Sequence, residues 1–500
     1  MNIISLQKTV LRHPLGNQTT DVLLISCYEL GHQPAGISMP LGFLRREGIH
    51  AEAIDLSVEG FDAAKIMQAN FIGISVPMHT ALRLGANVAE EIRKINKDCH
   101  ICFYGLYASL NADYLLKTVA DSIIGGEFET PLIHLVKAIE AKEPLNVEGV
   151  KTKTVEAAPV LARLNFAKPE RKVLPELKLY ARLQYQGEER LVGYVEASRG
   201  CLHYCTHCPI PSVYGGRFFI VQADVLLDDI RSLVAAGAQH ITFGDPDFLN
   251  GPTHSLRLVR AMHEEFPHLT FDCTIKIEHI IKHKELFAEF AQLGCIFVVS
   301  AVESLSDKVL AHLEKGHTQE DVYTALEILR NAGIALRPSL VSFTPWTTLD
   351  DFIEVLDFVE TENLIDALDP VHFLIRLLVP PGSVLLEREE TKRWLGRLNQ
   401  EMFTYEWQHP DRRLDELQKQ VANIVERAAQ TDEDAMQTFY QIRDLAYLMR
   451  GDDAASLARA NISSLRIRPP HLTEAWFCCA EPTQNQFHSM QKNSQCCSKD

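Results

Sequence analysis

Three cysteines stand as Cys-x₃-Cys-x₂-Cys in the segment Ala197-Ser-Arg-Gly-Cys201-Leu-His-Tyr-Cys205-Thr-His-Cys208-Pro. A strand signal precedes them and a helix signal follows, which puts the three thiols on one loop at a strand's carboxyl end. Three thiolates can hold three irons of a [4Fe–4S] cube, where electron-transfer clusters use four. The remaining iron then stays open to a chelating ligand. Gly200 lets the backbone turn tightly beside the thiols. The alternative occupant is structural zinc, which wants a fourth Cys or His, and His203 and His207 are nearby.

A second thiol pattern lies near the end of the chain, in Phe477-Cys478-Cys479-Ala480-Glu481-Pro482. Adjacent thiols in a reduced, mobile tail can resolve an intermediate, deliver a hydrogen atom or grip a thiophilic ion. Cys496-Cys497 repeats the doublet without its flanks and reads as an unselected chain end. Cys102, Cys273 and Cys295 fall on apolar strands, and with Cys99 they read as core. Arg337 and Arg376 fall on strands too, where a buried guanidinium needs an anion.

The elements that must position these groups come in two alternating series. Residues 20–140 alternate strands (Asp21–Ser26, Ala51–Leu56, Phe71–Val76, a fourth ending at Gly105, a fifth over Ser122–Glu127) with helices. That alternation implies a parallel, doubly wound, Rossmann-like sheet. Ligands of such sheets sit beyond the carboxyl ends of the strands. Those ends carry Ser26, Asp55, Ser75, Gly105, Tyr107, Gly125 and Gly126. From Gly193 a second series begins, with strands expected at 193–199, 240–244, 269–275, 295–301, 335–343 and 371–379. Six units fall short of the eight of a full barrel and fit a partial (β/α)₆ TIM-like barrel. Residues 390–465 carry helical spacing with almost no Gly or Pro. The division expected is therefore 1–145, a linker over 146–190, a barrel over 191–388, a helical cap over 389–465 and a flexible tail over 466–500.

The cysteine spacing at the mouth of a partial barrel resembles the radical S-adenosylmethionine (SAM) superfamily. The resemblance implies that the amino and carboxylate groups of SAM chelate the open iron of a cluster held by Cys201, Cys205 and Cys208. It also implies a nucleoside and headgroup site from His207, from the loop Gly244-Asp245-Pro-Asp247-Phe248, from Glu303-Ser304, and from Arg337 with the loop 342–346. His207 departs from the aromatic residue usual before the third cysteine. Residues 1–145 resemble the cobalamin-binding module of this superfamily. No Asp-x-His-x-x-Gly motif occurs, so cobalamin would sit base-off without a histidine ligand. The tail resembles the CUAEP/CCAEP-tail radical SAM proteins, some of which carry selenocysteine.

The expected chemistry is reductive cleavage of SAM to a 5′-deoxyadenosyl radical, with cobalamin-assisted modification, such as methylation, of an unactivated carbon. The substrate is a small molecule or peptide, and flavodoxin or ferredoxin supplies the electron. One alternative is a cobalamin-free radical enzyme whose tail thiols bind arsenic or selenium. Another, from a different class, is a non-catalytic zinc or redox-sensing protein. A net charge of −17 without a Lys/Arg-rich block argues against nucleic acid. No apolar run reaches the ~18–20 residues of a membrane span. Twelve sparse cysteines and the absence of a secretory pattern at Met1 point to a reduced, cytoplasmic setting.

Overall fold

The computed structural model describes residues 21–431, 433–452, 466, 468–474, 476–483 and 486–487. The first series forms β1 (Val22–Ser26), β2 (Ala51–Asp55), β3 (Phe71–Ser75), β4 (His100–Tyr104), β5 (Ser122–Ile124) and β6 (Val150–Thr152). Every residue of β1 and β3 is buried, because helices cover both faces of the sheet. The helix His79–Ile95 shows the matching pattern, burying Ala81, Gly85, Val88 and Ile92 along one stripe. Strand order is β2-β1-β3-β4-β5-β6, parallel except for β6. The order reverses between β1 and β3, so a ligand crevice is expected at their carboxyl ends.

The second series adds β7 (Arg182–Tyr185), β8 (Glu188–Val195), β9 (Ser198–Gly200), β10 (Phe218–Ile220), β11 (His240–Phe243), β12 (Thr270–Thr274), β13 (Cys295–Glu303) and β14 (Ala335–Leu340). Strands β8, β11, β12, β13 and β14 pair in parallel in that order, as a curled half-barrel. β7 closes the outer edge antiparallel to β8, and His471–Leu472 from the tail pairs with β7 in turn. The expected first barrel strand is divided, since its end becomes β9, which pairs with β10 rather than continuing β8. The expected sixth strand is reduced to one parallel bridge, Phe343 to Arg376. Pro370 starts a 3₁₀ turn over Pro370–Phe373, and Pro380-Pro381 ends the stretch, so proline limits the ladder at both sides.

The expected helical region over 389–465 opens instead with a short antiparallel pair, Leu395–Asn399 with Thr404–Trp407, and becomes helical only from Arg412. Its helical part is two helices, Arg412–Thr431 and Ala435–Arg450, packed on each other. Cys27, Cys99, Cys102, Cys273 and Cys295 are buried in the interior, as core residues should be. No described helix is long and apolar enough to cross a membrane. Cys496 and Cys497 lie outside the described residues.

Candidate active site between the two sheets

The carboxyl ends of both parallel sheets open onto one cavity of about 590 Å³. Cys201, Cys205 and Cys208 line it, on the loop that follows β9. Gly200 sets that loop with φ +77°, and a Cβ there would lie 2.4 Å from the Arg217 carbonyl oxygen, so only glycine fits. Burial raises the Cys208 thiol, and the neighbouring Cys205 and Cys201 thiols raise it further.

The loop is fixed from three directions. Asp245 accepts from the Ala197 N–H (2.9 Å) and the Ser198 hydroxyl (2.5 Å). Arg199, two residues before Cys201, contacts Glu129 (2.6 Å), Glu196 (3.1 Å) and Glu127 (3.5 Å). Glu127 and Glu129 are fully buried and come from the first sheet, so this network joins the two sheets beside the thiols. Burial lifts the Glu127 carboxyl to about 7 against the opposing pull of Arg199. Thr206 donates to the His312 carbonyl at 2.9 Å, which ties the loop to the far side of the half-barrel.

At the end of β13, Glu303 has φ +65°, a sparsely populated conformation for a side chain of this kind. Its carboxylate accepts from Lys315 Nζ (3.1 Å) and lies 3.2 Å from His207 Nε2. Burial alone would raise Glu303, yet Lys315 and His207 hold it well below the carboxylate range. Arg337 finds its anion in Asp369 at 2.8 Å, and Arg376 in Asp415 at 2.7 Å.

The residues expected to bind ligand divide on placement. Cys201, Cys205, Cys208, His207, Gly244, Asp245, Glu303, Arg337, Ser75, Gly105, Tyr107, Gly126, Cys478 and Cys479 all line the cavity. Five do not. Asp55 spends its carboxylate on Ser57 and on the Tyr180 hydroxyl (2.9 Å). Ser26 is buried at the end of β1. Gly125 packs where a Cβ would lie 2.6 Å from Ser109. Ser304 accepts from the Ser306 N–H at 3.1 Å, a local turn contact. Asp247 caps the turn at Leu249 and faces His203 and His279 instead.

The described part of the tail is docked rather than free. Thr80 donates to the Ala480 carbonyl (2.8 Å), and Trp476 Nε1 to the Glu481 carbonyl (3.0 Å). The Glu481 carboxylate meets His79 Nε2 (2.9 Å) and Arg83 Nε (3.1 Å) at the start of the helix His79–Ile95. These contacts give the Ala-Glu-Pro residues a physical task, which is to hold the preceding cysteines on the cavity wall. Cys478 Sγ and Cys479 Sγ are 3.6 Å apart there, as free thiols.

Sequence reasoning did not single out Glu29, His32 or Lys315 as lining residues, although all three face the cavity. Burial lifts Glu29 to about 8, partly offset by its bonds from Gly36. His32 stacks on Tyr194 at 4.7 Å, and burial lowers it to about 4. For Glu29 and His32 the only signal was their place in the loop after β1, which many loop residues share; Lys315 follows the helix Asp307–His312, twelve residues after Glu303.

Residues 195–359 match the model of the radical SAM superfamily. The hopanoid C-3 methylase of Methylococcus capsulatus is 24% identical over 326 residues, covering 63% of this chain and 62% of that protein. The chain spans less than two thirds of the length of the curated relatives it matches. Among solved structures, the cobalamin-dependent SAM radical enzyme OxsB with aqua-cobalamin bound aligns with a TM-score of 0.67 at 16% identity, over 87% of this chain and 79% of that one. The radical SAM methyltransferase TsrM from Kitasatospora setae, with tryptophan and a SAM analogue bound, aligns with a TM-score of 0.58 at 18% identity, over 68% of this chain and 71% of that one. The two-sheet arrangement is therefore a shared fold.

Proposed function

Residues 195–359 form a radical SAM domain, and from that premise we propose that this chain is a cobalamin-assisted radical enzyme that methylates an unactivated carbon of a small molecule or peptide. The observation that carries the reading is the single cavity, which joins the cysteine loop to the carboxyl ends of the first sheet. When bound, a [4Fe–4S] cluster supplies the electron that splits SAM into methionine and a 5′-deoxyadenosyl radical, and cobalamin supplies a methyl carrier.

The residues present fit both groups. Cys201, Cys205 and Cys208 are free thiols on one loop, and among the described residues no other cysteine lines the cavity apart from the tail pair. That donor set leaves one iron for SAM. Gly244 and Glu303 would meet the headgroup and nucleoside of SAM, while Asp245 holds the loop that bears the thiols. Lys315 and His207 keep Glu303 ionised, so it accepts hydrogen bonds without donating any. Ser75, Pro77, Gly105, Leu106 and Tyr107 would form the cobalamin platform. That surface carries mainly backbone and apolar groups. Trp476, Phe477, Cys478 and Cys479 of the tail line the cavity, where they would limit water at the reacting carbon.

A second reading has its own observation in the 3.6 Å thiol pair on the same wall. In it the chain works without cobalamin, and Cys478 with Cys479 presents a thiophilic metalloid to the radical. Hydroxocobalamin retention and cobalt content separate the two readings. After anaerobic reconstitution, SAM and a low-potential reductant, supplied in the cell by flavodoxin or ferredoxin, should yield 5′-deoxyadenosine. A protein that holds zinc in place of iron and sulfide, and never forms deoxyadenosine, would refute both readings and favour the non-catalytic one.

A further inference from the structure

At the thiol loop, where His203 also lines the cavity, three side chains from separate elements meet. His203 lies between Cys201 and Cys205, Asp247 follows β11, and His279 belongs to the helix Ile277–Lys282. Asp247 is fully buried, and His279 is only 8% exposed. One ligand atom from each of His203, Asp247 and His279 lies within 4.8 Å of the others.

Of their two close separations the longer matches that of ligands around one ion, and the shorter would open when an ion enters. Asp247 Oδ2 is 2.7 Å from His279 Nδ1 and 3.4 Å from His203 Nε2. Four-coordinate zinc with bonds near 2.0–2.1 Å places its ligand atoms about 3.3 Å apart. A purely hydrogen-bonded cluster would instead let each ring nitrogen donate in line to the carboxylate. It does not. All three of these buried atoms lack a hydrogen bond of acceptable geometry, although buried polar atoms are nearly always satisfied. The other charged groups here are occupied with each other. Glu278 is 3.7 Å from the opposite ring nitrogen of His203, and Lys276 pairs with Glu278 at 3.2 Å.

We propose that His203, Asp247 and His279 form a mononuclear site for a divalent transition cation, of the zinc or ferrous class, that takes one ligand from the cysteine loop but none of its thiols. Two imidazoles and one carboxylate suit such ions, with water completing the shell. A cation there cross-links the thiol loop to the turn after β11 and to the helix after β12. The site depends neither on cobalamin nor on turnover.

Zinc added to the iron–sulfur-reconstituted protein, followed by desalting, provides the test, with metals counted by mass spectrometry. About one zinc per chain should be retained. X-ray absorption at the zinc edge should show nitrogen and oxygen neighbours at ~2.0 Å, with an imidazole pattern. His279→Gln and Asp247→Asn should each lower retention at least tenfold while circular dichroism and iron content stay unchanged. A sulfur shell at ~2.3 Å would place the ion on thiols and overturn the proposal. No retention, or full retention in Asp247→Asn, would overturn it as well. Iron and sulfide measured in the same samples report the cluster separately, so failure here and failure of the cluster reading are told apart.

Discussion

Where the half-barrel reaches the cavity it presents charge in fixed pairs: Glu303 with Lys315, Arg337 with Asp369, and three thiols on a braced loop. Where the first sheet reaches the same cavity it presents Pro77, Met78, Gly105, Leu106 and Tyr107, with backbone polar groups and few charges. One side carries paired charge held at fixed geometry, and the other a largely apolar surface. Two sheets of similar layering thus divide the labour by the residues at their strand ends, since a fold by itself does not specify chemistry.

The strongest way to break this comparison is to disable one side alone. Cys205→Ala should abolish deoxyadenosine formation, to background, while cobalamin retention on the platform persists. Loss of both together would mean that the sides are not separable. A second change attacks the link between them. Arg199→Met leaves Glu127 and Glu129 buried without their cation and should destabilise the fold by ~3–5 kcal/mol in urea unfolding. Adding Glu127→Gln and Glu129→Gln should recover part of that loss.

Much of this contrast was legible in the sequence, and the reason is local. Cys201, Cys205 and Cys208 are neighbours on one loop, so their spacing alone states that they converge. The strand ends at Ser75, Gly105 and Tyr107 were legible because parallel sheets gather their ligands there. Asp55 and Ser304 looked equivalent in sequence, yet Tyr180 and Ser306 take them up, through contacts that no local pattern records. The split of the first barrel strand and the loss of the sixth depend on tertiary pairing and on prolines whose effect the apolar run masked. The docked tail was hidden for a similar reason. Glu481 meets His79 and Arg83 about four hundred positions earlier in the chain.

Smaller effects sharpen the comparison. Glu29 is a lone acid on the platform side, raised to about 8 by burial. Its folded form holds a proton that the unfolded form releases near pH 4.5, so stability should fall as pH rises from about 4.5 to 8. Glu29→Gln should flatten that decline, by on the order of a few kcal/mol at most, in unfolding curves taken at several pH values. An unchanged slope would place the titration elsewhere. Smallest of all, Glu481→Gln should loosen the tail and speed alkylation of Cys478 and Cys479 about tenfold, equivalent to ~1.4 kcal/mol. The same change should leave the cysteine-loop iron content unaltered.

The shared cavity is tested most directly by electron paramagnetic resonance on reconstituted protein carrying cob(II)alamin. The cobalt signal should have a base-off form, and its relaxation should quicken when the iron–sulfur cluster is reduced, because both groups face one chamber. A cobalt signal that is base-on, or whose power saturation ignores the cluster's redox state, would contradict the account.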